Sequence, residues 1–168
     1  ANSEDARRRI AETGPGVLVL VSFGQILRPK LLALPPLGCL NVHGSLLPRH
    51  RGASPIQAAI LAGDRETGVT VMRMVEGLDA GPTALTKSTA IEAHENAGQL
   101  HDRLATLGAT AILEAVDRLE AGTLTFTPQD DAIATTCSLL NRSDGHIDFA
   151  VDSELVDRRV RAMTPWPA

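Results

Sequence analysis

The chain has no tyrosine, one tryptophan and three phenylalanines, so aromatics make up 2% of its 168 residues. Its core must therefore be built from Leu, Ile, Val and Ala. Unpaired nucleic-acid bases would find few rings to stack on. Basic charge is not in excess either. The 16 Lys and Arg stand against 20 Asp and Glu, a formal −4, which offers no basic footprint for a phosphate backbone. The two cysteines, Cys39 and Cys137, lie far apart and without metal-type spacing. They fit reduced thiols in a cytoplasmic protein better than a disulfide framework. No apolar run reaches the length of a membrane span, and no internal repeat or low-complexity tract is visible. With 43% hydrophobic and 21% charged residues, the chain reads as globular and not disordered.

Glycine and proline divide what is there. Ser3 to Glu12 is charged and helix-compatible, with Ser3 as its cap, and Gly14-Pro15-Gly16 ends it. Val17 to Val21 is an unbroken β-branched and Leu run. It reads as a strand buried on both faces, as in a parallel sheet, with a further element expected beside it. Pro29 to Leu34 reads as a short helix. Cys39 to His43 alternates, setting Leu40 and Val42 on one face and Asn41 and His43 on the other. Ser45 to Gly52 is a loop. Ser54 as N-cap, Pro55 at the first turn and Gly63 at the stop then outline a helix. Gly68 to Met74 reads as a third strand and Thr83 to Ile91 as a weaker one near an edge. Asn96 to Glu120 has helical apolar spacing. The remainder is mostly extended, with a last helix over Ser153 to Ala162. The expected fold is α/β, a doubly wound, mostly parallel sheet of about four strands.

Polar residues at the carboxyl end of a strand in an open α/β sheet sit where ligands bind. Asn41 and His43 qualify. Asp79, in the loop Gly77-Leu78-Asp79-Ala80-Gly81 after the next strand, is the acid that can converge with them. Such a trio suits acyl-type transfer. The amide and an imidazolium donate hydrogen bonds to a developing oxyanion, while the carboxylate orients the ring and favours its charged form. Other candidates are weaker. His94 and His101 lack the spacing of a metal helix, His146 sits in turn chemistry with Asp144 and Asp148, and His50 reads as a solvated loop residue. Gly14-x-Gly16 precedes a strand and is no dinucleotide fingerprint.

Five segments carry a resemblance. Asn41-x-His43-x-Ser45-Leu46-Leu47-Pro48, Arg51-Gly52-Ala53-x-Pro55-Ile56, Gly63-Asp64-x-x-Thr67-Gly68-Val69-Thr70, Gly77-Leu78-Asp79-x-Gly81-Pro82 and Arg161-Ala162-x-x-Pro165-Trp166-Pro167 closely resemble the methionyl-tRNA formyltransferase family. The resemblance runs nearly end to end. It implies a Rossmann-like formyltransferase fold and transfer of a formyl group from 10-formyltetrahydrofolate to the amine of methionyl-initiator tRNA. It casts Asn41, His43 and Asp79 as the catalytic trio. Ser45, Leu46, Leu47 and Pro48 become the folate-contacting loop, with Phe23 to Leu27 as the opposite wall. No metal is expected, and no membrane. The full-length form is expected to be a monomer. The resemblance also implies a piece of a longer protein. Residues 1–122 are expected to be part of a catalytic domain, incomplete at its N-terminus. Residues 123–168 are expected to be a linker and the start of a C-terminal domain, so that the tRNA contacts lie largely outside this chain. Ala80 departs from the Thr usual in that loop. Glycinamide ribonucleotide formyltransferases have Pro where this chain has Gly44. The alternatives are a sugar-nucleotide amine as acceptor, or a truncated segment with at most weak folate binding.

Overall fold

The computed structural model describes residues 2–167. In chain order its helices and strands are α1 (Glu4–Glu12), β1 (Leu18–Val21), α2 (Pro29–Leu32), β2 (Cys39–His43), β3 (Arg51–Gly52), α3 (Pro55–Ala62), β4 (Glu66–Arg73), β5 (Thr83–Ala90), α4 (Ala97–Glu120), β6 (Thr136–Cys137) and α5 (Ser153–Met163). Four strands form one sheet in the order β1-β2-β4-β5, and β3 pairs with β6 in a separate two-stranded sheet.

The α/β, Rossmann-like arrangement is the one expected, with one difference in strand sense. β1 and β2 are parallel, but β2 with β4 and β4 with β5 are antiparallel, so this sheet is mixed and not mostly parallel. The register gives the reason. Thr70 lies opposite His43 and Arg73 opposite Leu40. The chain between His43 and Glu66 therefore never returns to the start of β2, and β4 begins at the far end and runs back down. A parallel neighbour would need a full crossover.

Side chains of β2 alternate as the sequence predicts. Leu40 joins Val69 and Val71 of β4 under α4, which contributes Leu100, Leu104, Ala111 and Ala115. Ile60 of α3 and Ala162 and Met163 of α5 close the same core. Residues well beyond 122 are thus packed into the central core. On the other face Cys39 packs with Leu27 and Leu31, ringed by Ile10, Leu18 and Leu20.

Val19 and Val21 register with Leu40 and Val42, on the α4 side of the sheet. They are exposed all the same, because the core formed with α4 takes in β2 and β4 but no residue of β1. The expectation of a first strand buried on both faces fails here, since burial along β1 alternates.

Helix ends follow their chemistry unevenly. Asn96 caps α4 through a reciprocal capping box with Gln99. Ser54 occupies the N-cap of α3, but its hydroxyl makes no cap hydrogen bond.

Candidate active site

His43 ends β2 and is buried, and Asn41, two residues earlier on the same face, is half-buried. Asp79 joins His43, with its Oδ2 3.6 Å from the His43 Nδ1. It does not get there as the carboxyl end of a neighbouring parallel strand. β4 ends opposite Leu40, at the other end of β2, so the 74–82 loop must double back to reach the ring. Two features permit that path. Asp79 adopts a left-handed backbone, φ 47°. Gly81 lies so close to the Arg73 carbonyl that a β-carbon there would stand 1.7 Å from its oxygen, which excludes any other residue.

The second nitrogen of His43 is occupied. Nε2 lies 2.8 Å from the His50 carbonyl. A carbonyl can only accept, so Nε2 donates its proton there, leaving Nδ1 to face the carboxylate. The Asp79 Oδ2 also accepts from the Gly52 amide at 2.9 Å. Among the described residues the Asn41 amide has no protein hydrogen-bond partner, so it is available to a ligand.

The loop after β2 is shaped from within. The buried Ser45 hydroxyl donates to the Arg49 carbonyl at 2.6 Å, and the Thr70 hydroxyl donates to the Ser45 carbonyl at 2.7 Å. The Leu47 amide donates back to the Thr70 Oγ1 at 3.2 Å. The Ser45 side chain thus holds the loop. Leu46, Leu47 and Pro48 remain half-buried as its apolar edge. Leu46 packs over Gly68 and borders a groove with Arg49, His50, Asp64 and Thr67. β1 is parallel to β2 with Val21 opposite Val42, so residues 22–27 leave the sheet at the same end as His43. There Phe23 and Ile26 are exposed and Leu27 is buried.

His50 is not the solvated residue expected. It is buried with φ 58°, and its Nε2 sits 2.7 Å from the Asp64 Oδ2, while Arg49 holds the other carboxylate oxygen at 2.6 Å. Its carbonyl, turned inward by that backbone, is the one His43 meets. The stretch 127–137, expected from the sequence only to be extended, clamps the site. The Thr135 Oγ1 accepts from the His50 amide at 2.8 Å, and β6 pairs with β3. Gln129 bonds the Asp79 and Gly81 carbonyls and Arg51. No periodic pattern marks these residues, because their partners lie some 50 to 85 positions away. Burial pushes both the Cys39 and Cys137 thiols above their ordinary range.

The topology is that of a Rossmann-like α/β protein, with Asn41 and His43 on β2 and the Asp79 loop brought against His43. The chain belongs to the formyl transferase family, whose model, Formyl transferase, matches residues 1–116. It is 49% identical over 165 residues to a methionyl-tRNA formyltransferase from Pseudomonas paraeruginosa, covering 98% of this chain and 53% of that protein. It is 51% identical over 158 residues to one from Geotalea daltonii, covering 94% of this chain and 51% of that protein. The chain thus spans about half the length of the curated relatives it matches. Among solved structures, HypX from Aquifex aeolicus in complex with tetrahydrofolic acid superposes with a TM-score of 0.84 at 20% identity, over 99% of this chain and 29% of that one. A sugar N-formyltransferase from Shewanella superposes with a TM-score of 0.82 at 18% identity, over 96% and 65%. At such identities these two share the fold alone.

Proposed function

We propose that the protein transfers a formyl group from 10-formyltetrahydrofolate to the amine of methionyl-initiator tRNA, in the cytoplasm. The observation that carries this reading is the pairing of His43 with Asp79, with Asn41 on the same face of β2, in a chain about half identical to proteins of that activity. The amine nitrogen attacks the formyl carbon, the bond from that carbon to the folate nitrogen breaks, and the proton lost by the amine balances the one gained by the folate. Negative charge builds on the formyl oxygen on the way. Asn41, with an uncommitted amide, donates to it. His43 joins by turning its Nε2–H from the His50 carbonyl to that oxygen, and Asp79 steadies the ring from the other side. Leu46, Leu47 and Pro48 offer the flat folate ring an apolar edge, with Ser45 holding the loop and residues 23–27 across from it. None of these steps calls on a metal. In this reading residues 1–122 form part of the catalytic domain, and residues 123–168, expected as a linker and the start of a second domain, pack back against its site and core through Gln129, Thr135, Ala162 and Met163.

The test is transfer of labelled formyl from 10-formyltetrahydrofolate to methionyl-tRNA by the wild-type protein and by His43→Ala. Wild-type transfer that falls about 100-fold or more in the variant supports the reading, since one lost donor costs roughly that much. Equal rates remove His43 from the chemistry. Transfer to an amino-sugar nucleotide in preference to methionyl-tRNA reassigns the acceptor.

A further inference from the structure

Gln129 lies outside every motif of the sequence, on an extended stretch after α4. Its amide is completely used. Nε2 donates to the Asp79 carbonyl at 2.8 Å and to the Gly81 carbonyl at 2.7 Å, and Oε1 accepts from the Arg51 Nε at 2.9 Å. Two carbonyls and one guanidinium leave a single orientation of that amide possible. Arg51 is itself held by Asp131 at 2.8 Å. The two carbonyls bracket Ala80, so Gln129 grips the loop on both sides of its tip. Asp79, which bears the first of these carbonyls, keeps a left-handed backbone that a non-glycine residue holds only when its surroundings impose it. From that backbone its carboxylate reaches both the Gly52 amide and His43.

We infer that Gln129, seated by Arg51, is a positioning residue: it sets the Asp79 carboxylate against His43 by clamping the two carbonyls beside it. The inference rests on Asp79 acting in formyl transfer as proposed above. Gln129 touches neither His43 nor Asn41, and its effect passes through the loop.

Gln129→Met keeps the length and loses both donors. Gln129→Asn keeps the amide but is too short to span the two carbonyls and Arg51, and it serves if the Met variant fails to fold. The expected result is a kcat lowered on the order of 100-fold, the cost of misplacing a group by about an ångström, with KM for both substrates unchanged. In an Asp79→Asn background the same change should add nothing, because both act through one carboxylate. A second readout needs no catalysis. The Gly52 amide, bonded to the Asp79 Oδ2, should exchange its hydrogen faster in the variant. The Ala53 amide, bonded to the Cys137 carbonyl at 3.2 Å, should not. Unchanged kcat, full additivity with Asp79→Asn, or unchanged Gly52 exchange overturns the inference. A wild-type protein that transfers no formyl group overturns the functional reading instead, and Gly52 exchange then still decides the clamp.

Discussion

The space between α4 and the sheet is closed by apolar side chains, whereas the ground around His43 is closed by directed polar contacts. In the first region Leu40, Val69, Val71, Leu100 and Leu104 meet without a hydrogen bond among their side chains. In the second, His50 and Asp79 both adopt left-handed backbones, and Gly52, at φ 120°, approaches the Cys137 carbonyl too closely for any β-carbon. Apolar contact is non-directional and scales with area, so the core depends on volume. A hydrogen-bonded site depends on where each backbone atom points, and a small shift undoes it. Stability and geometry are therefore largely separate properties here, set by different residues.

The largest effect expected on the core side is from Leu100→Ala. The side chain is fully buried, and its truncation should cost about 2–5 kcal/mol in denaturant or thermal unfolding, with turnover per folded molecule near wild type. On the site side, Asp79→Asn should do the reverse. Asparagine can still accept from the Gly52 amide and tolerates the left-handed backbone, so the melting temperature should hold. Formyl transfer should drop on the order of 100-fold or more. If Asp79→Asn destabilised the protein as much as Leu100→Ala, the two regions would not be separable.

A smaller contrast concerns two helix caps. Asn96→Ala removes a capping box from the core helix α4 and should cost about 1 kcal/mol. Ser54→Ala, at the site-side helix, removes no cap hydrogen bond and should stay within about 0.5 kcal/mol. Parallel urea titrations of the two variants measure the difference.

The mildest expectation concerns the two thiols, Cys39 on the face of the sheet away from α4 and Cys137 beside Gly52. Burial raises both, so the folded protein keeps protons that the unfolded chain gives up. Their contribution is then complete below the ordinary thiol range and is lost as pH rises from about 8.5 upward. Melting curves across that range should show the decline, and alkylation of the native protein at neutral pH should be slow.

Much of the fold was legible because its signals are local. The spacing of Leu100 and Leu104 with Asn96 before them marks α4, the alternation over Cys39–His43 marks β2, and Pro55 with Gly63 brackets α3. Asn41, His43 and Asp79 stand out by type and motif, and the fold does bring His43 and Asp79 together. What sequence could not carry was partnership across distance. Alternation in β4 tells which residues face in, but strand sense depends on where the chain arrives. β4 arrived antiparallel and buried from Thr67 to Met72, with Thr67 and Thr70 inside. His50 looked solvated until Asp64 was beside it. Gln129 belongs to no motif, and its role exists only once folding brings Arg51 and the Asp79 loop to its amide. A helix cap or a strand pattern is read over a few neighbouring residues. A hydrogen bond between residues fifty positions apart exists only once the core has assembled and brought both to one place.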